Sequence, residues 1–330
     1  MLRRFHTRAQ ITGEVKLPAV PSMLAHYVSM CDTVFRGLGK PFNGPEIDQL
    51  TEALRGELLR AYAQSPRSYI VISYQASIGS TLNYTVRAQW ASVAQAYEAW
   101  IETRQPPYFG TEPDARVWNL AVEAADPAVH RVLEIGAGTG RNALALARRG
   151  HLVDVVEMTP KFAAILHAAA EAESLNVRVI VRDVLADAND LREDYQLIVL
   201  SEVITDFRSV AQVRGIFELA ARRLAPGGLL VFNSFLARDD YQPDDAAREF
   251  CQHVYSTMFT RADIARCAAG LPLRLRSDDS VYDYEKANLP DGAWPPTSWY
   301  IDWVNGFDAF CTTNSESPIE LRWLVYERTH

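Results

Sequence analysis

Cysteine is scarce in this chain of 330 residues: four, at positions 31, 251, 267 and 311, with no CxxC pair and no clustering with histidine. That spacing indicates neither a disulfide scaffold nor a zinc site, and a reducing cytoplasm is the expected compartment. Long apolar runs are lacking as well. Leu197–Leu200 and Leu229–Phe232 fall far short of the roughly 20 residues a membrane-crossing helix needs, so no membrane partner is expected. Positive charge is in deficit, with 33 basic against 41 acidic residues and a formal net charge of −8. Nucleic acid is therefore not expected as a partner, because binding phosphates needs a basic face. Internal repeats and low-complexity tracts are missing. The start, Met1–Arg8, holds three arginines and no acid but lacks the apolar core of a secretory signal.

What is present is an ordinary globular composition: 48% hydrophobic, 22% charged and 10% aromatic. The chain is long for one domain, and its pattern changes near residue 110. Before that point Leu50, Leu54, Leu58 and Tyr62 recur every four residues in a helix that Pro45 can start. Two alternating runs, Tyr69–Gln75 and Leu82–Trp90, flank Gly79 and Ser80 and predict a β-hairpin with Leu82, Tyr84, Val86, Ala88 and Trp90 on one face. Val93, Ala96, Tyr97, Trp100 and Ile101 then fall at helical spacing, and Arg104–Pro113 reads as a linker. Residues 1–110 are thus expected to form helices plus a hairpin, serving as a substrate lid or a docking region, and residues 111–330 a second domain.

From about residue 130, apolar strands alternate with amphipathic helices, which signals parallel βα units. Strands are expected at 131–135, 152–157, 177–182, 195–201 and 228–236, and helices near 140–149, 160–173 and 208–225. A helical stretch at about 244–269 precedes two more strands, about 273–284 and 319–327. The prediction is an α/β fold: a doubly wound, seven-stranded, mostly parallel sheet with an N-terminal α+β elaboration. Its ligand should lie beyond the carboxyl ends of the strands, where their order reverses.

Strand 131–135 runs into Glu134-Ile135-Gly136-Ala137-Gly138-Thr139-Gly140 and then a helix, so glycines allow a tight turn and the close approach of a ligand. A dinucleotide fingerprint would put its third glycine at 141, where Arg141 stands, and no GK[ST] follows for a phosphate loop. An acid, one apolar residue and then GxGxG resembles the first motif of the class I S-adenosylmethionine-dependent methyltransferases. The resemblance extends, in order, over residues 130–236: Val155-Val156-Glu157 at the second strand tip, Arg182-Asp183-Val184 at the third, Ser201-Glu202-Val203 at the fourth, and Leu224-Ala225-Pro226-Gly227-Gly228 turning into the fifth. Taken singly, Glu157 or Asp183 reads as a strand-end acid capping a helix, so it is their order that carries the likeness.

The resemblance implies a Rossmann-like methyltransferase fold and S-adenosylmethionine as cofactor. Its contacts would be Glu134, Gly136, Ala137, Gly138, Gly140 and Asn142 at the loop, Glu157 on the ribose hydroxyls with Met158 beside it, Asp183 toward the adenine amino group with Val184, and Ser201 and Glu202 on the methionyl side.

For the acceptor, the strand-four position reads Ser201-Glu202-Val203-Ile204 and lacks the (N/D)PP(Y/F) tetrapeptide of enzymes that methylate exocyclic amino groups. Gln105-Pro106-Pro107-Tyr108 contains PPY but precedes the glycine loop. The connection at about 286–318 is rich in rings, including Trp294, Trp299, Tyr300, Trp303, Phe307 and Phe310. The resemblance implies that this stretch lies on the substrate side, where its rings would favour a flat apolar or aromatic acceptor or a cationic amine, though an insertion of this length also needs aromatics for its own core. Tyr84, Tyr108, Trp299 and Trp303 are the expected acceptor contacts, with Phe109 near Tyr108 at the pocket mouth. His253, Tyr241 and Asp240 are candidate bases, and no metal is expected. The predicted activity is methyl transfer to a small, apolar or aromatic organic molecule. Alternatives are a protein or peptide methyltransferase docking through the N-terminal region, and a non-catalytic cofactor-binding protein. The sequence is also compatible with a homo-oligomer.

Overall fold

The computed structural model describes residues 10–77, 82–310 and 316–329; the arginine-rich start, the expected turn at Gly79 and Ser80, and Cys311 lie outside the described residues. The chain forms two compact units, Met1–Ala96 with Asp244–His253, and Tyr97–Pro243 with Val254–His330. The stretch read as a linker, with the rings just before it, therefore belongs to the second unit. Among the described residues no helix is long and apolar enough to cross a membrane.

In the first unit β1 (Gln10–Pro18), β2 (Arg67–Ser77) and β3 (Leu82–Ala91) pair antiparallel in that order. Helix Gly44–Gln64 starts where Asn43 and Glu46 each accept the other's backbone amide, with Pro45 in its first turn, and it buries Leu50, Leu54, Leu58 and Ala61. Leu82, Tyr84, Val86 and Ala88 pack against that core, but Trp90 is 46% exposed. The β1 strand and helix Leu24–Gly37 were not foreseen. Helix Asp245–His253 closes the unit: Phe250 packs on its core, and the Arg67 guanidinium donates to the carbonyls of Gln252 and His253.

The second unit is built on β4 (Val132–Ile135), β5 (Val153–Glu157), β6 (Val177–Val181), β7 (Tyr195–Leu200), β8 (Leu224–Ala237), β9 (Met258–Phe259), β10 (Leu273–Ser280) and β11 (Ile319–Arg328). The main path runs β10-β11-β8-β7-β4-β5-β6, with β9 paired beside β8. This is the expected doubly wound, mostly parallel sheet. Among the described strands of this sheet β11, between β8 and β10, runs antiparallel to both and against the direction of the rest.

Two local expectations change. The strand expected to reach 284 stops at Ser280, whose hydroxyl accepts the amide of Asp283 and starts helix Val281–Asn288. The helical stretch 244–269 is two helices, Asp245–His253 and Arg261–Ala268, because β9 intervenes and Thr260 with Asp263 forms a new capping box. The aromatic connection also contains a short helix, Tyr300–Val304, with Tyr300 and Trp303 buried.

Candidate active site

Strand order reverses between β4 and β7, and their carboxyl ends carry the glycine loop and Ser201-Glu202. Gly136 has φ +70°, and a Cβ there would stand 2.4 Å from Val203 Cγ2. Gly138 has φ +56°, and its Cβ would meet Phe109 Cε2 at 3.1 Å. Only glycine suits both conformation and space. At the tip of β5, Glu157 Oε2 accepts the Gly138 amide at 2.9 Å and Oε1 accepts that of Thr159 at 2.7 Å. Burial raises the Glu157 pKa while those bonds oppose the rise. Met158 beside it is 41% exposed. Past β6, exposed Asp183 turns Oδ1 to the Leu185 amide at 2.9 Å, next to buried Val184.

Behind the loop lies a buried polar network. Asn142 Nδ2 donates to Glu134 Oε1 at 3.1 Å and to Asp114 Oδ2 at 2.9 Å, while its Oδ1 accepts the Asp114 amide at 2.8 Å. Ser201 Oγ donates to Asp114 Oδ2 at 2.7 Å. The Arg141 guanidinium bridges Asp114 at 2.7 Å and Glu202 at 3.1 Å. Glu285 accepts the amides of Ala115 and Arg116 at 2.7 and 3.1 Å and the Trp323 indole at 2.9 Å. Burial pushes Glu134 up to about 8, and Glu202 and Glu285 up to about 7, with Arg141 opposing each shift. The Tyr300 phenol, fully buried and near Glu202, is raised well above its ordinary value.

Carboxylate thus outnumbers guanidinium here, and the buried Glu134 Oε2 has no hydrogen-bond partner among the described residues. A glycine cradle backed by surplus buried acid fits a cationic ligand such as a sulfonium with an α-ammonium group. Among the described residues no group of side chains is suited to a metal ion.

A cavity of about 220 Å³ is lined by Glu202, Thr205 and the rings of Tyr97, Trp100, Phe109, Tyr255, Trp299 and Trp303. Trp100 stacks on Phe109 at 5.3 Å and meets Trp299 edge-on at 6.4 Å, and Trp299 lies 5.8 Å from Trp303. Tyr97 donates its hydroxyl to Asp206 Oδ2 at 2.7 Å, with its ring 5.8 Å from that of Tyr255. Phe109 is also the ring against Gly138, so the cavity and the glycine loop share a wall.

Of the expected acceptor contacts, Trp299 and Trp303 line this cavity, and Tyr108 lies 5.9 Å from Trp100 without lining it. Tyr84 belongs to the first unit, its ring 6.0 Å from Phe35 and 5.8 Å from Phe42. His253 also belongs to the first unit, edge-on to Tyr69 at 4.7 Å, and burial with Arg67 nearby lowers it to about 4, which makes its ring a weak base. Tyr241 packs edge-on to Phe310 at 5.9 Å beside exposed Asp240, and neither lines the cavity.

Asp114, Glu285, Tyr300 and Arg141 are not among the site residues that the sequence pointed to. Asp114 precedes helix Ala115–Val122 and looks like an ordinary helix cap, yet it makes no side-chain capping bond because its carboxylate serves Arg141, Asn142 and Ser201.

A doubly wound sheet, three positive-φ glycines at its switch point and an acid at the next strand tip are the features that the resemblance to class I methyltransferases leads one to expect of the fold. Residues 132–228 match the family model described as a methyltransferase domain. This part of the chain is a methyltransferase domain.

Among solved structures, geranyl diphosphate C-methyltransferase from Streptomyces coelicolor A3(2), in complex with Mg2+, geranyl diphosphate and S-adenosyl-L-homocysteine, aligns over 65% of this chain and 80% of its own with TM-score 0.52 and 17% identity. A geranyl diphosphate methyltransferase in complex with SAM aligns over 65% and 85%, with TM-score 0.51 and 16% identity. A provisionally assigned sarcosine dimethylglycine methyltransferase from Galdieria sulphuraria aligns over 72% and 98%, with TM-score 0.51 and 14% identity. Likeness at these identities speaks to the fold. No curated protein sequence matches the chain significantly.

Proposed function

We propose that the protein transfers the methyl group of S-adenosylmethionine to a small organic acceptor, apolar or aromatic in its body, held in the ring-lined cavity. The observation that carries this reading is the Phe109 ring, which lines the cavity on one side and packs over Gly138 on the other. The bound cofactor supplies an electrophilic methyl on a positively charged sulfur. Glu157 uses two of its roughly four acceptor positions on Gly138 and Thr159 and keeps the others for the ribose hydroxyls. Asp183 with Val184 serves the adenine, and Met158 flanks it. The loop glycines with Glu134, Asn142, Ser201 and Glu202 hold the methionyl end. In-line displacement needs orientation and a dry site more than it needs a base, and a cavity walled by six rings provides both.

Incubating the purified protein with methyl-labelled cofactor and pooled acceptors tests the reading. Gain of one methyl by a small molecule is the expected result. Gain only by polypeptides in a parallel peptide pool would replace it with the docking alternative.

A further inference from the structure

The acceptor's chemical class can be argued further, on the basis of the function just proposed. The cavity wall carries acid where a wholly apolar acceptor would call for none: Glu202 and Asp308 both line it, and Arg104 is the one basic residue among the described lining residues. Arg104 itself lies over the Trp100 ring, 4.3 Å from the centroid, so a cation–ring contact is already part of this wall. Two lining residues, Glu202 and Tyr255, have left-handed backbones with φ of 61° and 60°. Non-glycine residues seldom adopt that region unless surrounding structure enforces it. Here Asn233 Oδ1 accepts the Glu202 amide at 2.7 Å, and Trp303 Nε1 donates to the Tyr255 carbonyl at 2.9 Å. Arg141 reaches Oε1 of Glu202 at 3.1 Å, and no hydrogen bond from the described residues reaches Oε2.

We infer that the acceptor is an amine bound as its ammonium, with its apolar body among Tyr97, Tyr255, Trp299 and Trp303 and its nitrogen toward Oε2 of Glu202. Ring faces and carboxylate both attract the cation, and a neutral alcohol of the same shape forgoes both attractions. The ammonium passes one proton to Glu202. The freed nitrogen pair forms the new N–CH3 bond as the C–S bond breaks, its electron pair staying on sulfur, so the product is a methylated ammonium and the donor a neutral thioether. Burial holds the Glu202 carboxyl up at about 7, which makes it a better proton acceptor than an ordinary carboxylate.

Matched probes test this: benzylamine, phenethylamine and tryptamine against benzyl alcohol, phenethyl alcohol and tryptophol. Each is titrated by calorimetry into protein saturated with S-adenosylhomocysteine, and each is assayed by mass spectrometry with S-adenosylmethionine. At least one amine is expected to bind about tenfold more tightly than its alcohol and to gain a methyl on nitrogen. Glu202→Gln should bring that ratio below about threefold, and any loss of cofactor affinity cancels in the ratio. If no amine exceeds its alcohol, or if the methyl lands on oxygen, the amine assignment is overturned while the small-molecule reading stands. If S-adenosylhomocysteine itself does not bind, that reading fails and takes the amine assignment with it.

Discussion

Asp114 and Asn142 hold each other twice: the Asp114 amide donates to Asn142 Oδ1 at 2.8 Å, and Asn142 Nδ2 donates back to Asp114 Oδ2 at 2.9 Å. The same Nδ2 reaches Glu134, so one amide ties the segment before helix Ala115–Val122 to the end of β4. Asn142→Leu keeps the volume but strips donors from two buried carboxylates. A loss of about 3 kcal/mol in urea unfolding is expected. A loss under about 0.5 kcal/mol would mean that the network contributes nothing to stability.

Glu157→Ala should weaken S-adenosylhomocysteine binding at least about tenfold, since a charge-assisted hydrogen bond is worth about 1.5–3 kcal/mol. It also frees the Gly138 amide that shapes the loop. Calorimetric titration decides the matter: a smaller loss removes Glu157 from the ribose contact.

Stability should fall as pH rises from about 5 to 8. Glu134, Glu202 and Glu285 have folded pKa values raised by burial to about 8, 7 and 7. Each therefore contributes stability that is fully present below its ordinary carboxylate pKa and lost as pH climbs through the folded value. Within that window one such group tilts stability by at most about 1.4 kcal/mol per pH unit. Glu134→Gln should flatten the unfolding free energy against pH, and a slope unchanged from wild type would contradict a buried, proton-holding Glu134.

Trp299 and Tyr84 should separate in their effects. Trp299 lines the cavity, so Trp299→Ala is expected to lower methyl transfer at least about tenfold through lost positioning, with cofactor affinity nearly unchanged. Tyr84 packs with Phe35 and Phe42 in the first unit, so Tyr84→Ala is expected to cost about 2–4 kcal/mol of stability. Melting temperature and cofactor affinity, measured on both variants, check the pair. A Trp299→Ala protein that melts early and binds cofactor poorly would make that ring a packing residue.

By itself the sequence determined the elements whose cause is local. Short continuous apolar runs and period-3.6 hydrophobicity placed the strands from β4 to β8 and the helices between them, because a few neighbouring residues decide whether a segment is buried whole or along one face. The cofactor loop was legible for the same reason: Gly136 and Gly138 are required by backbone conformation at their own positions. Tertiary structure alone decided what depends on residues far apart in the chain. Asp114 and Ser201 are 87 positions apart, and Arg116 and Glu285 are 169 apart, and no short window of sequence encodes their hydrogen bonds. The acceptor cavity draws Tyr97 and Phe109 from before the sheet, Glu202 from its middle, and Tyr255 and Trp299 from beyond β8. Of those rings the sequence pointed to Phe109 and Trp299, and nothing local marks Tyr97 or Tyr255. What turns them into a pocket is the packing of segments around the carboxyl ends of β4 and β7, where the strand order reverses and leaves room between the connections.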